Sequence, residues 1–223
     1  MRRATSAVLR KELRLELRTP QSVPAMALFS ITTFVVFHFA LQRGEIGGDL
    51  ASGVLWVTLL LAAQLGIARL FVADREEGGF DGFLLAPVDR TALFVAKATA
   101  LLAYLVAVQI IAVPAFVLLL LGPSISSVPN FLALLALADI GIAIVGTLVG
   151  ALAIQSRARD LLVPLIALPL LLPVLICAAK GTTPLLTSGG AHALAARWPL
   201  TIALYDLVFG LVAYAVFDFL LED

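Results

Sequence analysis

ALFVAKATALLAYLVAVQIIAVPAFVLLLL, residues 92–121, decides the fold: it carries one charge, Lys97, in thirty residues. A helix needs about 20 largely apolar residues to cross a hydrocarbon core ~30 Å thick. The run is apolar all round instead of alternating with period two, which argues for a helix and against a barrel strand. Five further stretches read the same way, at about 22–41, 50–72, 131–154, 161–179 and 200–221. The connectors 42–49, 73–91, 122–130, 155–160 and 180–199 hold most of the Gly and Ser, with about half of the Pro and charge. The first run lacks the short core and small-residue cleavage site of a signal peptide and is expected to stay in the protein.

Composition agrees. Of 223 residues, 61% are hydrophobic and 13% charged, with mean hydropathy +1.07. Soluble domains carry about 25% charged residues, so this chain has too little charge to cover a globular surface. Fifteen cations balance fifteen anions, which suggests neither a nucleic-acid partner nor an acidic tail. The single cysteine, Cys177, excludes an internal disulfide framework, a CxxC redox pair, a CxxCH haem attachment and a cysteine zinc site. The expected fold is an all-α integral membrane protein of six transmembrane helices.

Orientation follows from the basic residues. If the N-terminus is inside, only Arg43, Lys180 and Arg197 of the fifteen Lys and Arg fall outside. The positive-inside rule then places both termini in the cytoplasm. Residues 1–21 precede the membrane domain, 22–221. Leu9, Leu13 and Leu17 form one row at i, i+4, i+8, and Arg10, Arg14 and Arg18 form the adjacent row. Glu12 and Glu16 complete an amphipathic helix of three to four turns. Such a helix suits the headgroup layer, arginines toward anionic lipid, and Thr19-Pro20 ends it.

Within the membrane, Gly146-x-x-x-Gly150 is spaced for close helix packing, either inside the subunit or against a second copy. Pro164, Pro169 and Pro173 predict a bent or broken fifth span. Asp139 and Asp206 lie inside spans four and six. An acid there costs about 2.5–3.5 kcal/mol on insertion scales, so both should face protein or water. Hydrogen bonding to neighbouring helices is the first reading and a proton or substrate pathway the second. Trp56 and Trp198 read as interfacial anchors.

The connector 73–91 is the longest inner one. Asp74-Arg75-Glu76-Glu77-Gly78-Gly79-Phe80-Asp81-Gly82-Phe83-Leu84-Leu85-Ala86-Pro87 places Phe80, Phe83 and Leu84 at i, i+3, i+4. That makes a short helix with an apolar face, an acidic N-terminal end suited to the helix dipole, and Pro87 as its limit. The apolar face either folds back on the chain or docks a cytoplasmic partner.

Asp74-Arg75-Glu76-Glu77-Gly78, then Leu84-Leu85-x-Pro87-x-x-Arg90 and Lys97, resembles the first cytoplasmic loop of type-2 ABC transporter permeases. Those also have an N-terminal interfacial helix and six spans. More closely, the chain resembles the haem exporter protein B family, the membrane subunit of the cytochrome c maturation ABC complex. Lys11-Glu12-Leu13-Arg14-Leu15-Glu16-Leu17-Arg18, Leu55-Trp56-Val57, Arg69-Leu70-Phe71-x-x-Asp74-x-Glu76-Glu77-Gly78 and Leu168-Pro169-Leu170-Leu171-Leu172-Pro173-Val174-Leu175-Ile176 carry the likeness. It fades after about Ala179. The chain departs from the family pattern at Glu77, Phe80, Asp81-Gly82 and Cys177; the added glycines shorten or loosen the loop helix.

The resemblance implies a type-2 ABC permease-like bundle in the bacterial inner membrane and a separate cytoplasmic ATPase subunit, which would hold ATP and Mg. That subunit would dock on Asp74, Arg75, Glu76, Glu77, Gly78, Phe80, Asp81, Phe83, Leu84, Leu85 and Pro87. It also implies a second copy of the chain, a haem-handling membrane protein and a haem chaperone outside the membrane. No segment reads GxxxxGK[ST], and Lys180-Gly181-Thr182 has the wrong order, so the chain should hydrolyse no nucleotide itself. A haem axial ligand is usually His, Met, Cys or Tyr. His38, among Phe34, Phe37 and Phe39, and His192, in the outer loop 180–199, are the weak candidates; no stoichiometric haem and no metal are expected. Two rival readings stand beside haem export. One is a type-2 ABC permease for a lipid, polysaccharide or drug; the other is an ATPase-independent secondary transporter or membrane scaffold.

Overall fold

The computed structural model describes residues 2–42, 45–71, 90–122, 125–154, 156, 158–187, 189 and 194–220. Among them there are helices and no strands. Helix α1 spans Arg2–Arg18, α2 Ser22–Leu41, α3 Gly48–Arg69 and α4 Arg90–Phe116, the last continuing as a π-helical turn, Val117–Leu121. Then come α5 Val128–Ile154, α6 Arg159–Thr182, a 3₁₀ turn Thr183–Leu186 and α7 Arg197–Leu220. Helices α2 to α7 are each long and apolar enough to cross a membrane.

Local chemistry sets the boundaries. Glu16 Oε1 accepts the backbone N–H of Gln21 at 3.1 Å and of Val23 at 2.8 Å, satisfying donors that a new helix leaves free. The acid that closes α1 therefore opens α2 across Thr19-Pro20. At the far end Gln42 adopts a left-handed conformation, φ 49°. Helix α4 ends where Gly122, φ 69°, donates its N–H back to Val117 O at 2.9 Å, the wide turn of a π-helix. Pro164, Pro169 and Pro173 all lie inside α6, which runs unbroken from Arg159 to Thr182. Of the two expected outcomes, a break is absent among the described residues.

Helices α3 and α5 form the centre, with 72% and 67% of their spans buried, against 22% for α2 and 17% for α7 at the rim. Helix α5 packs on α6 and α7, α3 on α2 and α6, and α1 lies along α4. The buried side is continuous: Phe34, Trp56, Leu101, Phe116, Phe131 and Leu134 are all within 2% of full burial. Outward stand Leu28, Phe39, Ile110, Leu118, Leu165, Leu204 and Leu211, all well exposed. Water would not tolerate so much apolar surface; a bilayer covers it, and each helix satisfies its own backbone.

Trp56 is a correction to the anchor expected from sequence. It is 1% exposed, and its Nε1–H donates to Thr182 Oγ1 at 3.0 Å. Ser52 and Thr183 hydroxyls meet at 2.9 Å, and Thr183 donates to Asp49 at 3.0 Å. These side chains tie the start of α3 to the end of α6, so Trp56 belongs to helix packing and not to the lipid interface.

Candidate functional site

Lys97, one cation in an apolar run, is buried. Its Nζ lies 2.9 Å from Glu12 Oε1 and donates to Leu70 O at 2.8 Å. The ammonium also stands 5.1 Å from the centre of the Phe71 ring, an attractive cation–π geometry. Tyr104 Oη donates to Glu12 O at 3.4 Å. One buried ammonium therefore joins α1, the exit of α3 and the second turn of α4. Phe71 extends the junction to α5: a Cβ on Gly150 would stand 3.1 Å from its ring.

Burying both charges is costly, several kcal/mol per ion, and good geometry offsets it. Removing one partner leaves an unpaired buried charge, at about 3–5 kcal/mol. Sequence reasoning put Glu12 on the polar face of α1; the structure turns it inward, 6% exposed. The legible signal was Lys97 itself, since a cation inside an apolar span needs an acid. Helix α1 has 17 residues, longer than expected. Leu9 and Leu13 are half-buried, Leu17 is 82% exposed, and Arg10, Arg14 and Arg18 are exposed.

The junction lies where the chain leaves α3 and re-enters at α4. The intervening residues, among them Asp74, Arg75, Glu76, Glu77, Gly78, Phe80, Asp81, Phe83, Leu84, Leu85 and Pro87, lie outside the described residues. Beside the junction, Arg69 Nη1 donates to Gln21 O at 3.2 Å, linking the end of α3 to the start of α2.

The two intramembrane acids are not brought together. Asp139, 1% exposed, accepts from Gln109 Nε2 of α4 at 2.8 Å, and its Oδ2 has no hydrogen-bond partner among the described residues. Asp206, on α7, rests against Gly141 of α5, where an added Cβ would strike its carboxylate. Neither of its oxygens has a hydrogen-bond partner among the described residues. Gly141 and Asp139 are two residues apart on α5, about 200° round the helix, so Asp206 meets α5 on a different side from the one that carries Asp139. Next to Asp206, Tyr205 Oη donates to Leu170 O, beside Pro169 in α6.

Gly146 and Gly150 pack within the chain. A Cβ on Gly146 would fall 2.7 Å from Ile67 Cγ1 and 3.1 Å from Leu101 Cδ2, so α5 touches α3 and α4 there. His38 Nδ1 lies 2.5 Å from Leu119 O. A carbonyl only accepts, so Nδ1 carries the hydrogen, and His38 ties α2 to the π-helical end of α4. His192 lies outside the described residues. Among the described residues no three of His, Cys, Asp and Glu gather as a metal site.

A family model described as CcmB protein matches residues 3–219. The chain belongs to the CcmB family. It is 34% identical over 200 residues to heme exporter protein B of Rhodobacter capsulatus, with 88% of each chain covered. To the protein of the same name from Bradyrhizobium diazoefficiens it is 35% identical over 182 residues, 78% of each. For that of Pseudomonas aeruginosa the identity is 30% over 172 residues, 77% of each. The CcmB match takes in α1 as well as all six long helices, so the Glu12–Lys97 junction lies inside the family region. This CcmB-family chain is a multi-pass membrane protein with a buried ion pair at the base of α4.

Proposed function

We propose that the chain is the membrane permease subunit of a haem-export machine for c-type cytochrome biogenesis. Likeness over nearly the whole chain to heme exporter protein B of Rhodobacter capsulatus carries this reading. The chain is a transport subunit and not an enzyme; a separate cytoplasmic ATPase subunit, binding ATP and Mg, supplies the work. That subunit docks on the segment from Asp74 to Pro87, whose acidic and apolar residues offer charge and a burying face. Two copies of each assemble in the bacterial inner membrane with both termini cytoplasmic. They act with a haem-handling membrane protein and a haem chaperone on the outer side. The arginine row and Leu17 of α1 face the headgroups.

Six apolar helices and the buried interior support a machine that moves as rigid helices, not one that performs covalent chemistry. His38 already serves Leu119 O, which favours a structural over a haem-ligand role. Co-purification tests the docking. Wild type should retain the ATPase subunit, and Glu76→Lys combined with Leu84→Asp should lose it. Undiminished binding by that variant would sink the docking. A Soret band at one haem per chain, abolished by His38→Ala or His192→Ala, would overturn the haem-free reading.

A further inference from the structure

We infer that Glu12 and Lys97 are positioning residues of the transport cycle: their ion pair makes α1, the exit of α3 and the entry of α4 one moving body. The inference rests on the proposal that an ATP-hydrolysing subunit docks between residues 74 and 87. Any displacement of that segment reaches the membrane helices through its two covalent ends, after Phe71 and before Arg90. Lys97 holds both ends at once. Its ammonium donates to Leu70 O, faces the Phe71 ring, and belongs to α4 only seven residues beyond Arg90, about 10 Å along the helix. Glu12 adds α1 to the same body at 2.9 Å, and Glu16, one turn on, holds the start of α2 through Gln21 and Val23.

Adhesion alone does not call for charge at this place. A well-packed apolar pair of similar volume stabilises a buried contact as well as an ion pair or better. What an ion pair adds is register, because the carboxylate and ammonium meet in one axial and angular seat, whereas leucine and methionine slide. Glu12 is 6% exposed and Lys97 is fully buried, so solvent cannot relax that seat. Phe71 carries it on to Gly150 of the central helix α5.

The test separates register from adhesion. In cells lacking the native gene, the full-length chain is expressed as wild type and as the apolar pair Glu12→Leu with Lys97→Met. Three quantities are read: chain level in the membrane, ATPase subunit co-purified with it, and mature c-type cytochrome by haem staining. The apolar pair should keep level and ATPase retention within about two-fold of wild type, while cytochrome falls roughly ten-fold or more. Cytochrome within about two-fold of wild type, at equal level and retention, would overturn the inference alone. If wild type retains no ATPase subunit, the docking proposal falls and this inference with it. Should the apolar pair be lost from the membrane, Glu12→Asp decides. It keeps the charge and withdraws it by one methylene, so cytochrome should fall about three-fold or more at normal level. Unchanged cytochrome in that variant would refute the pair's role.

Discussion

Gly146→Ala is the sharpest probe of the bundle, because its mirror experiment lies in the same molecule. The added Cβ would fall 2.7 Å from Ile67 Cγ1, 2.8 Å from Ile67 Cδ1 and 3.1 Å from Leu101 Cδ2. Ile67 is 1% exposed and Leu101 fully buried, so neither side chain can swing out to make room. Overpacking of this kind costs about 1–3 kcal/mol. The two nearest atoms make the upper half apply, offset by about 1 kcal/mol of helix propensity gained on replacing glycine. The net loss is about 1–2 kcal/mol. Among the described residues Gly53 of α3 has nothing within 4 Å of its Cβ position, so Gly53→Ala collects only the propensity gain and should stabilise by about 0.5–1 kcal/mol. Denaturation of the purified chain in detergent, followed by far-UV circular dichroism, reads both signs. Ile67→Val removes Cδ1 and should recover part of the Gly146→Ala loss, with a coupling of about 0.5 kcal/mol or more. If the two alanine variants shift stability alike, α5 does not approach α3 as described. If Gly146→Ala instead leaves unfolding unchanged and weakens self-association by light scattering, the small residues serve a second copy.

Three other outcomes follow from single contacts. His38→Ala removes the hydrogen bond to Leu119 O and should cost about 0.5–1.5 kcal/mol in the same denaturation assay, with His38→Gln recovering part by offering another N–H. Gln109→Leu removes the hydrogen bond to Asp139 and should destabilise by about 1–3 kcal/mol; adding Asp139→Leu should relieve that loss, and a second equal loss would contradict the pairing. Trp56→Phe forfeits the bond to Thr182 at about 0.5–1.5 kcal/mol. In Trp198→Phe the remaining Trp56 emission should resist acrylamide, whereas ready quenching would show that Trp56 is not enclosed.

Sequence alone determined how many times the chain crosses the membrane, because hydrocarbon thickness imposes a length on every apolar run and that length is local information. The run 92–121 lies within one helical stretch ending at Leu121 for that reason. Family membership was also legible, in contiguous motifs such as those around Arg69 and Pro169. Partner choice was not. Glu12 and Lys97 are 85 residues apart, and each has an innocent local reading: polar face of an amphipathic helix, or basic topology signal. Only the seat of α1 on α4 turns both inward, and the cost of burying a lone charge then forces them together. Trp56 shows the same limit, since an indole at a span end reads as an anchor until a helix 126 residues on supplies Thr182. Lipid tails are as apolar as leucine, so hydropathy says which residues leave water and nothing about which of them meet. Shape at Gly146, the His38 contact with Leu119 O and the buried Glu12–Lys97 pair decided that, and all three exist only in the folded bundle.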